Sequence, residues 1–359
     1  MGGFCLPPAT PLNMNTSSTV AGRVSIIIPA YNCADTIGAT LESCLAQTYG
    51  NAEIIVVNDG SIDRTAEVLQ TFGRKINLVN KCNGGLASAR NAGARVATGE
   101  YMAWMDSDDL MFSDRIMLQA GVLATDPSVE LVSSDFSAFA DEGADFEASH
   151  IHRYYSAVGR LNGLSNIYPK SREMAADGRC VTVRTGQAYR SLLSGNFVHP
   201  PTVMIRRSIF DRVGFFDEAL RYNSDFDFIL RAARVGCFAY INTPLLRYRR
   251  SGTQMSHSAA GGTIPLETIK ILEKVRRDDP DIFLVQQHLF RRRFAELFTE
   301  AADLIGPSDR SRALRLLVRG VRHRLLLGAA VHAFARIVVP RFVVLAAKST
   351  WHHLTFGTK

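Results

Sequence analysis

Three carboxylates fall within four residues at Asp106-Ser107-Asp108-Asp109, directly after the apolar stretch Tyr101-Met102-Ala103-Trp104-Met105. Like charges so close together repel unless a cation lies between them, and carboxylate oxygens suit hard ions such as Mg2+ or Mn2+. The cluster therefore offers a metal site. A solvated acidic turn, or a helix cap by Asp106 or Asp108 ahead of Leu110, accounts for the same residues without a ligand. A second acidic group lies far along the chain, in Asn223-Ser224-Asp225-Phe226-Asp227-Phe228-Ile229-Leu230-Arg231. A carboxylate there serves as a general base or as a helix cap, and Asp227, four residues before Arg231, suits a helical ion pair.

Positioning such groups needs a framework, and the apolar pattern supplies one. Arg23-Val24-Ser25-Ile26-Ile27-Ile28-Pro29 is a β-branched run of the kind buried in parallel sheets. Helical spacing over residues 36–48 and a strand over 53–57 complete a βαβ unit. The alternation repeats, with helices over 63–72 and 87–97 and strands over 76–79 and 101–105. A short strand is expected at 131–134, and residues 141–190 read as an irregular insertion carrying specificity or a lid. Strand 201–205 and helices 208–213 and 226–235 follow; the pattern beyond Leu266 is helical.

Ligands of open α/β sheets gather beyond the carboxyl ends of the strands. Four segments stand there: Pro29-Ala30-Tyr31-Asn32, Asn58-Asp59-Gly60-Ser61-Ile62-Asp63, Asn83-Gly84-Gly85 with Arg90 one helical turn on, and the acidic cluster. Asp59 suits a base or ribose, and the amides around Gly85 together with Arg90 suit phosphate. Capped turns without a ligand are the alternative.

Together, residues 24–32, 53–65, 83–109 and 214–236 resemble the family 2 glycosyltransferases. These are inverting enzymes of GT-A fold that use a nucleotide-diphosphate sugar. The resemblance implies a mixed, mostly parallel, Rossmann-like α/β sheet flanked by helices over residues 23–258. It implies nucleotide-sugar contacts from Pro29, Ala30, Tyr31, Asn32, Asp59, Gly85, Arg90, Asp106 and Ser107, and a Mn2+ or Mg2+ ion on Asp108 with Asp109 beside it. Asp225 takes the place of the general base, with Asp227 as fallback; Ser224 replaces the Glu that often precedes the base. Uridine is the expected nucleotide, and a hydroxyl of a glycan or lipid-linked acceptor the expected nucleophile. His199, before two prolines, is read either as an acceptor-side or metal contact or as a structural histidine. Arg249 and His257 fall in the segment that closes the catalytic domain and are candidate phosphate or metal contacts.

Composition sets the outer bounds. The chain has 359 residues, 47% of them hydrophobic, and a formal charge of +7. Its six cysteines include no C-x-x-C pair, so reduced thiols and a cytoplasmic setting are expected. Residues 1–22 read as a loose tail without the basic and apolar regions of a signal peptide. From Arg310 to Lys359 there is no acid, while arginines punctuate Leu/Val/Ala-rich sequence. Residues 259–359 form the helical basic C-terminal region, read as packed helices or as a peripheral contact on the inner face of the cell membrane. The arginines within 325–347 argue against a span. A sugar-nucleotide nucleotidyltransferase would carry a Gly-rich basic loop where Pro29-Ala30-Tyr31-Asn32 stands. A nucleic-acid binder leaves Asp225 and the acidic cluster unexplained, and no nucleic-acid partner is expected.

Overall fold

The apolar runs expected as strands build the parallel half of one large sheet. The structure, a computed structural model, describes residues 20–140, 145–176, 179–250 and 262–323. The chain divides into two units, Met1–Gly252 and Thr253–Lys359. In the first, β1 (Val20–Ala30), β2 (Ala52–Asp59), β3 (Asn77–Lys81) and β4 (Gly99–Trp104) lie in the order β3-β2-β1-β4, all parallel. They alternate with α1 (Ile37–Leu45), α2 (Thr65–Thr71) and α3 (Leu86–Val96). Ile26, Ile28, Ile55 and Val56 are fully buried, as a sheet covered on both faces requires. A side chain at Gly93 of α3 would stand 2.5 Å from Ile27 Cγ2, so glycine sets how closely this helix approaches the sheet.

Past β4 the sheet becomes mixed. After β5 (Leu110–Met111) and α4 (Arg115–Thr125) comes β6 (Val129–Phe139), an 11-residue strand buried along its whole length. This corrects the short strand expected at 131–134: Ser133, Ser134, Asp135 and Ser137 are buried polar residues that interrupt the apolar run. Between 145 and 190 the described residues also carry more regular structure than expected. They contain β7 (Asp145–Glu147), α5 (Ile151–Tyr154), α6 (Ser156–Arg160), α7 (Leu164–Ile167) and a hairpin of β8 (Lys170–Ala176) and β9 (Arg179–Gly186), followed by α8 (Tyr189–Leu192). The hairpin sits at the sheet edge with several exposed side chains, so it depends on main-chain pairing and lacks a buried strand's sequence pattern. Two prolines form a 3-10 turn at Pro200–Thr202, which shortens the strand expected at 201–205 to β10 (Met204–Arg206). Helices α9 (Ile209–Val213) and α10 (Ser224–Val235) lead into β11 (Cys237–Arg249).

In the second unit, α11 (Thr263–Asp278), α12 (Pro280–Val285), α13 (Gln287–Ile305) and α14 (Arg310–His323) pack through residues such as Ile269, Leu272, Phe294, Phe298 and Leu317. Asp279 caps α12 by accepting from the Ile282 amide at 3.2 Å, with Pro280 opening the helix. Among the described residues no helix is long and apolar enough to cross a membrane. The tail at 1–19 and the C-terminal stretch 324–359 lie outside the described residues. Cys33, Cys44, Cys180 and Cys237 are free thiols.

Candidate active site

Strand direction gathers the candidate residues on one edge. The carboxyl ends of β1 to β4 share that edge; β10 runs antiparallel to β4 and β6, and β11 runs parallel to β6, so β6 and β11 end there too. The short β5, which pairs with β11, ties the acidic cluster to the end of that strand. In consequence the Arg249 amide donates to Asp109 Oδ1 at 2.9 Å and Arg249 Nε to the Asp108 carbonyl at 2.8 Å.

At the end of β1, Pro29 and Ala30 are buried and Tyr31 is 48% exposed, an open ring surface. Asn32 adopts φ +48°, a conformation asparagine tolerates better than most residues. Its Oδ1 accepts from the Ile62 amide at 2.9 Å, and its amide donates to Ser61 Oγ at 3.1 Å. The first two edge segments are thus strapped together. Asp59 is buried and well supplied with donors: Lys81 Nζ at 2.5 Å and the Gly84 amide at 3.0 Å on Oδ1, and the Gly85 amide at 2.8 Å on Oδ2. This corrects the expectation of open amides around Gly85, because they are turned onto Asp59 and not toward a phosphate. Gly60, at φ +72°, allows the approach, since a Cβ there would lie 2.7 Å from the Asn83 amide nitrogen.

The acids after β4 are held very differently. Asp106 Oδ1 accepts from Arg90 Nη2 at 3.0 Å. Arg90 is only 2% exposed, with its guanidinium 5.6 Å from the Trp104 ring and 5.8 Å from Phe216. It therefore serves Asp106 from below the surface instead of projecting from the helix start. Its Nε and Nη1 are buried without a hydrogen-bond partner among the described residues. Asp108 is half-buried, and burial followed by the charge of Asp106 pushes its carboxyl up to about 6. Asp109 is fully buried and raised well above the usual range, first by burial and then by Asp108 and Asp106. Ser107 lies half-buried between them, its carbonyl accepting from Thr36 Oγ1 at 2.9 Å.

A buried cation absent from the sequence reading underlies this cluster. Arg115 donates from Nη2 to the Trp104 carbonyl at 3.0 Å and from Nε to Gln119 Oε1 at 3.0 Å. Burial lowers its guanidinium to about 10, with Cys44, Asp109 and Asp106 opposing that shift. The i,i+4 spacing of Arg115 and Gln119 was the available signal, though it marks a helix and not a site.

Asp225 lies in the first turn of α10, its Oδ1 accepting from the Phe226 amide at 2.7 Å. Burial raises its carboxyl, the Arg90 guanidinium opposes that, and Asp106 adds to it. Arg90 thus acts electrostatically on both acids. Aromatic packing fixes α10: Phe216 stacks on Phe228 with centroids 4.6 Å apart, and Trp104 meets Phe228 edge-on at 5.4 Å. Asn91 clamps the preceding loop, accepting from the Phe216 amide and donating to its carbonyl, both at 3.0 Å, and reaching Glu218 Oε1 at 2.8 Å. Asn91 also escaped the sequence reading; beside Arg90 it looked like an ordinary helical polar residue.

Residues 25–214 match the model of Glycosyl transferase family 2. The chain belongs to this family. It is similar to an uncharacterized glycosyltransferase of Rickettsia typhi, at 31% identity over 242 residues, covering 67% of this chain and 68% of the relative. It is also similar to UDP-Glc:alpha-D-GlcNAc-diphosphoundecaprenol beta-1,3-glucosyltransferase WfaP of Escherichia coli, at 45% identity over 105 residues, 29% of this chain and 42% of the relative. The chain spans about two thirds of the length of two rickettsial relatives and about a third of three others. Among solved structures it is similar to the mannosyltransferase PcManGT of Pyrobaculum calidifontis in complex with GDP-Man and Mn2+, at TM-score 0.54 and 19% identity, covering 89% and 88% of the two chains. It is likewise similar to S. aureus TarS 1-349 in complex with UDP-GlcNAc, at TM-score 0.51 and 16% identity, covering 84% and 89%. The glycosyltransferase has the GT-A fold.

Not every expected residue joins the glycosyltransferase's site. Asp227 is buried and its carboxylate is paired with Arg231 at 2.8 Å, the helical ion pair that its spacing suggested, which corrects the fallback reading as a base. His199 is 4% exposed, stacks on Phe136 with centroids 4.0 Å apart, and lies 3.1 Å from the Tyr155 hydroxyl through Nδ1. Burial first, then His150 and the arginines, lowers it to about 3, which keeps the ring neutral. His257 lies outside the described residues. Among the described residues no three His, Cys, Asp or Glu side chains form a ready metal cage. The acids fit a divalent ion nonetheless: they are hard oxygen donors, and a cation would relieve the repulsion that raises Asp108. An incomplete protein shell suits an ion whose remaining ligands are phosphates and water.

Proposed function

We propose that this glycosyltransferase moves a sugar from a uridine-diphosphate sugar to a hydroxyl of a glycan or lipid-linked acceptor, with inversion. The observation that carries this reading is the pair of unlike carboxylate environments that meet at Arg90. Asp106 and Asp108 form a crowded group poised to bind a cation and phosphates, whereas Asp225 stands apart with a raised carboxyl suited to accepting a proton. WfaP names both a UDP-sugar donor and a diphosphoundecaprenol-linked acceptor, which supports the uridine and lipid-linked assignments.

The open face of Tyr31 supports the nucleotide base, and Asn32 and Asp59 border it. Asp106 faces the ribose and diphosphate while Arg90 holds its carboxylate in place. Asp108 would hold Mn2+ or Mg2+, which when bound stabilises the charge developing on the leaving diphosphate. Arg249, fixed by its bonds to Asp108 and Asp109, adds positive charge on the same side. Asp225 takes the proton of the attacking hydroxyl, so displacement occurs in one step without a covalent enzyme intermediate. The test is Asp225→Asn: transfer should fall by roughly a hundredfold to ten-thousandfold while UDP still stabilises the protein against heat. Near-wild-type transfer by that variant sinks the assignment of the base.

A further inference from the structure

The second unit holds a cavity of about 680 Å³ between α11, α13 and α14. Its apolar side is formed by Ile269, Phe298 and Leu316. Its charged side carries Lys270, Arg312, Arg315 and Arg319 against Glu267 and Glu273, so the cations outnumber the carboxylates by 4 − 2 = 2. Arg319 is spread over the Phe298 ring at 4.5 Å, with Glu273 4.0 Å away.

The same arginines belong to a larger pattern on α14. Arg312, Arg315, Arg319 and Arg322 recur at spacings of three, four and three residues, and all four are exposed. Ala313, Leu316, Leu317 and Gly320 form the buried face. Gly320 permits close packing, since a Cβ there would stand 3.1 Å from Phe298 Cβ. Val318 and Val321, at 53% and 40% exposure, flank the arginine stripe. The helix contains no acid, and the sequence continues without one to Lys359.

We infer that this cavity and arginine face seat the phosphate headgroup of an anionic phospholipid, docking the second unit on a negatively charged membrane. Guanidinium groups match phosphate oxygens with paired hydrogen bonds, and the apolar wall accepts the hydrocarbon next to the headgroup. Flanking exposed valines suit the interface, where a neutral or acidic partner surface would leave either the stripe or the valines unmatched. The inference goes beyond the donor chemistry and does not depend on it.

The test is flotation of the full chain with vesicles of phosphatidylcholine alone or doped with phosphatidylglycerol. Wild type should float only with the doped vesicles and be released by salt. The triple variant Arg312→Gln/Arg315→Gln/Arg319→Gln should partition roughly a hundredfold more weakly while keeping a cooperative melting transition. Where the triple variant does not fold, the single exposed change Arg315→Glu decides, with partitioning expected to weaken at least tenfold, an order-of-magnitude figure. Equal partitioning of variant and wild type, or no preference for the doped vesicles, overturns the proposal. So does stabilisation by inorganic phosphate equal to that by doped vesicles, which would assign the cavity to a soluble phosphate.

Discussion

Asp59 at the end of β2 and the acids after β4 occupy the same edge of one sheet, and they are built in opposite ways. Asp59 receives three donors, from Lys81, Gly84 and Gly85, and its charge organises the loop that enters α3. Burial first, and then neighbouring charge, raises the carboxyls of Asp108 and Asp109: Asp106 acts on Asp108, and Asp108 and Asp106 act on Asp109. Asp59 receives three donors, while in the cluster Asp106 pairs with Arg90 and Asp108 and Asp109 keep raised carboxyls. The difference separates a carboxylate whose charge three donors answer from carboxylates held in a partly buried, like-charged cluster.

Several substitutions would sharpen or break that contrast. The largest expected effect is on catalysis at the unsatisfied end. Asp108→Ala should reduce transfer by roughly a thousandfold and abolish any Mn2+-dependent thermal shift with UDP, an order of magnitude drawn from losses of single electrostatic stabilisers. Retention of that metal-dependent shift would place the ion elsewhere. Next comes stability at the satisfied end. Asp59→Asn removes a charged acceptor shared by three donors and should cost about 1.5–3 kcal/mol in denaturant unfolding. An unchanged midpoint would mean that Asp59 does not hold the Gly84-Gly85 loop.

A smaller effect at Asp108 is read through pH. A carboxyl raised in the folded state binds its proton before the unfolded chain does, so its stabilising contribution is complete below about 3.8 and is lost as pH rises through about 6. Without metal, wild type should therefore lose stability relative to Asp108→Asn as pH rises from about 4 to about 7, by up to about 1–2 kcal/mol after allowance for partial exposure. His199, lowered from 6.5 to about 3, contributes the opposite slope over most of that range, but it is present in both proteins and cancels in the difference. Parallel pH profiles for the two proteins would refute the raised carboxyl at Asp108. The mildest expected effect is that of Arg249→Lys, which keeps the charge and loses the Nε bond to the Asp108 carbonyl; a fall of about tenfold in kcat/KM is expected. A larger fall would make the guanidinium geometry itself part of the donor site.

The parallel half of the fold was legible because each βα unit writes its own signal. Ile26 to Ile28, Glu53 to Val57 and Tyr101 to Trp104 became strands as read, and their ends brought Asn32, Asp59 and Asp106 to one edge. The mixed half was not. In β6, buried serines and Asp135 broke the apolar run, and the β8–β9 hairpin carries the exposed side chains of an edge. Helix periodicity likewise marked the second unit without revealing that Arg312 and Phe298 line a common cavity.

Local sequence determined the β1–β4 framework and the identity of the acids, because hydrophobic period and turn chemistry act over a few residues. It also marked Asp225 through the company that residue keeps. Only the tertiary structure decided what each acid does. The amides of Gly84 and Gly85 were turned onto Asp59, and Arg90 and Arg115 were buried among the acids. Those outcomes depend on burial and on charges many residues apart in sequence, and both come into being only when the strands pair.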